Sequence, residues 1–149
     1  MKKRYVWIFL SVLFTMLIFA RSMKNAADSS AESSIFVNIY LYIYNLLFSK
    51  TPENPVGTVR KLAHVAEFAI QGVLLCGVFS TFKHKIMGNI FSIMFLGLLT
   101  ACVDEFLQLF SDGRAGLVTD IFIDFGGTLI GILISLLFVK IICNLSKQN

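Results

Sequence analysis

The chain alternates long apolar runs with short polar breaks, and the polar residues inside the runs are not scattered. Val6–Ala20 carries no charge and follows Lys2, Lys3 and Arg4; further runs cover Ile35–Phe48, Leu62–Phe82, Ile86–Phe110 and Leu117–Val139. A helix needs roughly 20 apolar residues to cross the ~30 Å hydrocarbon core of a bilayer. The pattern therefore predicts spans at about 5–23, 62–82, 86–110 and 117–139. Ile35–Phe48 is too short. Its Asn38, Tyr42, Asn45 and Ser49 recur at spacings of four, three and four, which puts them on one helical face and suits a helix lying in the membrane interface. A re-entrant or spanning helix is the alternative, and the alternation of Tyr40, Tyr42 and Tyr44 also fits a strand. Arg21–Ser34, with Ser33 or Ser34 as a helix cap, and Lys50–Val59, with Pro52, Pro55 and Gly57, are predicted as loops.

Composition agrees with a membrane protein. Of 149 residues, 56% are hydrophobic and 15% charged, and mean hydropathy is +0.78; soluble domains carry about 25% charged residues. The expected fold is an all-α integral membrane helical bundle over residues 1–149, with four transmembrane helices plus one interfacial helix. The basic start and apolar middle of the first run also fit a signal peptide, but no small-x-small cleavage site follows, so the first helix is expected to stay. The net charge of +4 is no sign of nucleic acid, because its placement sets orientation instead. Lys2, Lys3, Arg4, Lys83, Lys85, Lys140 and Lys147 fall on one side of such a bundle, and Arg21, Lys24, Lys50, Arg60, Lys61 and Arg114 on the other. Seven basic residues against six place the first group, and with it both termini, in the cytoplasm; no acid falls in the first group's segments, which bears on clustering more than on orientation. Cys76, Cys102 and Cys143 show no metal-like spacing and read as apolar packing residues.

The candidate chemistry lies at the outer ends of the last three spans. His64, Glu67 and Gln71 stand three and four apart in the first half of the run beginning at Leu62. Asp104, Glu105 and Gln108 close the next run within an arc of about 100°. Arg114 is in the following loop, and Asp120 and Asp124, one turn apart, open the last run. A charge at the bilayer centre costs roughly 2.5–3.5 kcal/mol on insertion scales. Convergence of so many at one depth predicts a polar pocket open to the outside, reaching about 10 Å into the last helix.

RKLAHVAEFAI at Arg60–Ile70, DEFLQLFSDGR at Asp104–Arg114 and DIFIDFGGTLIG at Asp120–Gly131 resemble the VanZ-like family of small bacterial membrane proteins. The pattern is a basic residue and His with a nearby Glu, an acid pair and Gln leading into a Gly-Arg loop, then an Asp and a glycine-rich helix. Where that family often has Asn before the glycines, this chain has Asp124. The resemblance implies a protein of the cell envelope linked to resistance against the glycopeptide teicoplanin, and it implies no particular reaction.

Each polar residue has two readings. His64 is a proton carrier or metal ligand beside Glu67, or a histidine held by a carboxylate for helix packing. Asp104 and Glu105 bind a cation, hydroxyl or amine, or one of them pairs with Arg114 to fix the outer loop. Arg114 offers a planar fork for phosphate or carboxylate. Asp120 is a ligand or a charge favoured at a helix N-terminus, and Asp124, a turn deeper, is less easily the latter. Gly113 and Gly116 serve the turn; Gly97 with Ala101, and Gly127 with Gly131, make small surfaces for close helix contact. His84 is a solvated loop residue.

Three functions are compatible with these residues. The first is a binding protein whose pocket of Arg60, Lys61, His64, Glu67, Asp104, Glu105, Gln108, Arg114, Asp120 and Asp124 takes the polar head of an amphiphile, either a lipid-linked precursor or a lipoglycopeptide. The second is a metal-dependent hydrolase or transferase on a lipid-linked phosphate. Gly116-x-x-x-Asp120-x-x-x-Asp124 resembles half of the signature of CDP-alcohol phosphotransferases, but Asp112-Gly113-Arg114-Ala115 runs straight into Gly116 without the spacing that signature needs. The third, a proton-coupled transporter, lacks polar groups in the inner half of the bundle. The first is preferred, with no resident metal or cofactor expected and no oligomeric state assigned.

Overall fold

A computed structural model describes residues 2–48, 52–82, 86–114 and 116–146, without the side chains of 26–33. Ser49, Lys50, Lys83, His84, Lys85, Ala115, Lys147 and the Ser33 side chain, which figure in the expectations above, lie outside the described residues. Five α-helices follow in order: α1 Lys2–Ser22, α2 Ala26–Phe48, α3 Pro55–Ser80, α4 Ile90–Gln108 after a 3₁₀ turn at Met87–Asn89, and α5 Val118–Leu145. No strand occurs among the described residues. Four helices are long and apolar enough to cross a membrane: α1, α3, α4 with its leading turn, and α5.

Four of the helices run longer than the apolar runs that announced them; α4 is shorter than the run Ile86–Phe110, opening only after the 3₁₀ turn and ending at Gln108. α3 starts at Pro55, inside the stretch expected to be loop to Val59. The local reason is that Asn54 caps it: its Oδ1 accepts from the Gly57 N–H at 2.9 Å, and Pro55 has no N–H to lose at the first helical position. α2 starts at Ala26, so the expected loop from Arg21 shrinks to 23–25. Apolar periodicity could not show this, since the first turns of α2 are polar. α5 continues past Lys140, because lysine is itself a good helix former and does not end a helix. Tyr40, Tyr44 and Phe48 stack along α2 at 5.7 and 4.8 Å, the spacing of residues four apart on a helix; the strand alternative for this segment is wrong.

Antiparallel packing decides which ends meet. Arg4 at the start of α1 donates to the Thr81 hydroxyl and carbonyl at the end of α3, at 3.2 and 2.9 Å, and covers the Phe82 ring. At the other end Ser22, closing α1, meets Asp104 and Ser111 near the end of α4. α3 and α5 form the main seam. There a Cβ on Gly131 would run into the Ala69 carbonyl, and one on Gly127 into that of Val65, so the two glycines allow backbone contact.

The interior is divided. Toward the Arg4 end, Leu75, Cys76, Ile86, Ile93 and Ile132 form a dry core with Phe79 and Leu136. Midway, Ile18, Phe68 and Ala101 form a smaller one. Gln71, buried between α3 and α1, donates to the Thr15 hydroxyl at 2.7 Å and so ties two helices together. Beyond Phe68 the buried side chains are mostly polar, with Asp104, Glu105 and Asp124 among Ser22, Gln108 and Ser111. Of the cysteines, Cys76 packs in the core while Cys102 and Cys143 are exposed.

Candidate functional site

Four segments bring polar groups to one end of the bundle: the end of α1, the start of α3, the end of α4 with its following turn, and the start of α5. Asp104 is the hub and is 0% exposed. Its Oδ1 accepts from the Ser22 hydroxyl, and its Oδ2 accepts from Gln108 Nε2 at 3.1 Å. The same Gln108 nitrogen donates to Glu105 Oε1 at 3.0 Å, and Glu105 Oε2 accepts from the Leu117 N–H at 2.9 Å. Ser111 donates to the Ser22 carbonyl at 2.9 Å. Side chains of α4 thus hold the end of α1 and the start of α5, where the first-turn N–H groups lack helical partners.

The loop is therefore anchored by an acid, but not through Arg114. No ion pair joins Arg114 to an acid among the described residues, and its buried Nε and Nη1 have no hydrogen-bond partner there. Burial pushes the Arg114 guanidinium below its usual value, and the nearby Arg60 charge acts in the same direction. Gly113 lets the turn before it form, with φ 72°.

His64 turns away from the partner expected for it. Glu67 pairs instead with Arg21 of α1, a residue expected in a loop. His64 Nδ1 lies 3.8 Å from Asp104 Oδ2 and 3.6 Å from Asp124 Oδ1. Both are beyond hydrogen-bond length. Ligand atoms of His64, Asp104 and Asp124 all lie within 4.8 Å of one another. Asp124 is 1% exposed, and its Oδ2 has no partner among the described residues. Nearer the rim, Lys61 meets Asp120 at 3.3 Å.

The space between these groups is small. Arg60, Lys61, His64, Glu105, Gln108, Asp120 and Asp124 bound it, with room of about 10 Å³ for the centre of a water-sized sphere. That accommodates about one water molecule. No head group enters it as it stands. Beside it, between α4 and α5, an open groove of about 210 Å³ runs past Glu105, Leu109, Gly116, Leu117 and Ile121 and is mostly apolar.

Of the ten residues expected at the site, seven line one small cavity, Asp104 joins them through Gln108 and His64, Arg114 lies close enough to feel the Arg60, Asp104 and Glu105 charges, and Glu67 is drawn off to Arg21. Ser22 and Arg21 were not foreseen. The available signal was topological: in an antiparallel bundle the end of the first helix must lie at the depth of Asp104.

Membrane-length helices surrounding a buried ionic cluster define a small multi-pass helical membrane protein. Within that class the chain belongs to the VanZ/LLP1 family, which it matches over residues 7–139. The match takes in α1, so Ser22 and Arg21 lie within the family region along with the motifs between Arg60 and Gly131. No curated protein and no solved structure matches the chain.

Proposed function

We propose that this protein acts in the bacterial cytoplasmic membrane, with both termini inside, and that its polar outer end binds the anionic head group of an amphiphile and thereby alters susceptibility to teicoplanin. The observation that carries the reading is Arg114. It is partly exposed and forms no ion pair with an acid among the described residues, and a guanidinium fork is matched to phosphate or carboxylate. Arg60, close enough for its charge to act on Arg114, and Lys61 line the cavity at this end. The head group rests on this basic rim, not in the packed cluster beneath it, and the apolar groove between α4 and α5 suits the first carbons of a lipid tail. A lipid-linked wall precursor and the lipoglycopeptide itself both have this head-and-tail character.

The orientation is supported by Lys2, Lys3, Arg4 and Lys140, basic residues that lie at the end away from the cluster. A C-terminal alkaline phosphatase fusion is inactive in this orientation and active in the reverse one.

The function is tested by teicoplanin susceptibility in cells expressing wild type or Arg114→Ala at matched membrane levels. Wild type is expected to raise the inhibitory concentration and Arg114→Ala to leave it near the empty-vector value. Equal protection by both removes the arginine rim from the function, and protection by neither removes the drug.

A further inference from the structure

The rim accounts for Arg60, Lys61 and Arg114, but not for the three groups below them. We propose that His64, Asp104 and Asp124 form a site for one first-row divalent cation of the Mn²⁺ or Zn²⁺ kind. The inference goes beyond the head-group reading and stands without it.

Three helices contribute one ligand each: α3 gives His64, α4 gives Asp104 and α5 gives Asp124. Ligand atoms about 2.1 Å from one ion stand about 3.0–3.4 Å apart in octahedral or tetrahedral geometry. The His64 Nδ1 distances of 3.6 and 3.8 Å to the two aspartates need close by only a few tenths of an ångström. These two distances are too long for a hydrogen bond and near those of a shared ion; the set as a whole lies within 4.8 Å, so the ligands draw in further on binding.

The unpartnered atoms point the same way. Asp124 is 1% exposed and lines the cavity, yet its Oδ2 has no hydrogen-bond partner among the described residues. His64 Nδ1 is also buried and unpartnered. Buried polar atoms in folded proteins are normally satisfied, and a bound ion satisfies those that no protein group reaches. The cavity, with room of about 10 Å³, suits a single small occupant. Charge decides its sign. The acids Asp104, Glu105, Asp120 and Asp124 outnumber the cations Arg60, Lys61 and Arg114, and among the described residues no Lys or Arg forms an ion pair with Asp104 or Asp124. One nitrogen and two carboxylate oxygens suit manganese or zinc better than magnesium or calcium, which prefer an all-oxygen shell. Gln108, bonded to Asp104, holds that carboxylate in place as an outer partner.

The test uses the full chain in detergent, stripped with EDTA, equilibrated with MnCl₂ or ZnCl₂, desalted and assayed for metal. About one ion per chain is expected for at least one of the two metals. His64→Ala and Asp124→Asn should each lower the content tenfold or more, as loss of a ligand does. Asp112→Asn, in the exposed turn, should not change it. Pulsed electron paramagnetic resonance of the Mn²⁺-loaded wild type should show coupling to a histidine nitrogen, so the proposal stays testable if a variant fails to fold. Fewer than about one ion in ten chains for both metals, wild-type content in Asp124→Asn, or bound Mn²⁺ without nitrogen coupling would overturn the site. No drug or lipid enters this assay, so failure of the head-group reading leaves its outcome untouched.

Discussion

The two halves of the bundle interior are built on opposite rules. Toward the Arg4 end, Leu75, Ile93 and Ile132 pack in one apolar cluster. Toward the other end Asp104, Glu105, Gln108 and Asp124 are buried just as deeply, and Asp124 keeps an oxygen with no partner among the described residues. Lipid favours the first arrangement. The second is costly, since a buried polar group without a partner loses its hydration for nothing. The difference teaches where stability and function reside. The apolar half, with the α3–α5 seam, makes the helices assemble, and the assembly has enough surplus to hold the polar end together.

The largest predicted effect breaks the seam on which both halves depend. Gly131→Leu drives a side chain into the Ala69 backbone, and since both sides of that contact are helix main chain, only helix separation relieves it. Overpacking of flexible side chains costs about 1–3 kcal/mol, and a clash with backbone exceeds that range. Little folded protein should be recovered, measured as the monodisperse fraction after detergent extraction.

A contrasting pair separates the halves. Ile93→Ala, at a residue with 0% exposure, should destabilise by about 2 kcal/mol, the low end of the range for such changes, because lipid-facing assembly draws on packing more than on water exclusion. Asp124→Ala, equally buried, should instead raise stability by about 1 kcal/mol in chelator-containing buffer, since removing the acid removes its uncompensated burial. Thermal unfolding in detergent compares them, and destabilisation by both would erase the distinction between the halves.

Much of this division was legible in the sequence, and its limits have physical causes. The spans and the convergence of His64, Asp104 and Asp124 at one depth follow from apolar period and alternating direction. So does the close packing at Gly127 and Gly131, because small residues four apart on a membrane helix have few other uses. What could not be read was pairing. Glu67 was matched with His64 by sequence proximity on one helix, whereas Arg21 of α1 takes it and leaves His64 to two acids from other helices. Spacing defines a face but not which neighbour lies against it. The size of the pocket was equally hidden. Ten polar residues suggested an open basin, yet their mutual hydrogen bonds draw them together around a single water-sized space.

The smallest effect sharpens the boundary between the cluster and its rim. Lys61 and Asp120 stand 3.3 Å apart, but the lysine side chain is 48% exposed. Exposed ion pairs contribute about 0–1 kcal/mol, screened by salt and reduced by side-chain entropy. Lys61→Ala should therefore change thermal stability by less than about 0.5 kcal/mol. It removes a cation from the opening while leaving His64, Asp104 and Asp124 in place. If the rim and the cluster are separate devices, this variant keeps wild-type metal content and loses part of the teicoplanin effect. A simultaneous loss of both would make them one site, with Lys61 acting through Asp120 on the helix that presents Asp124.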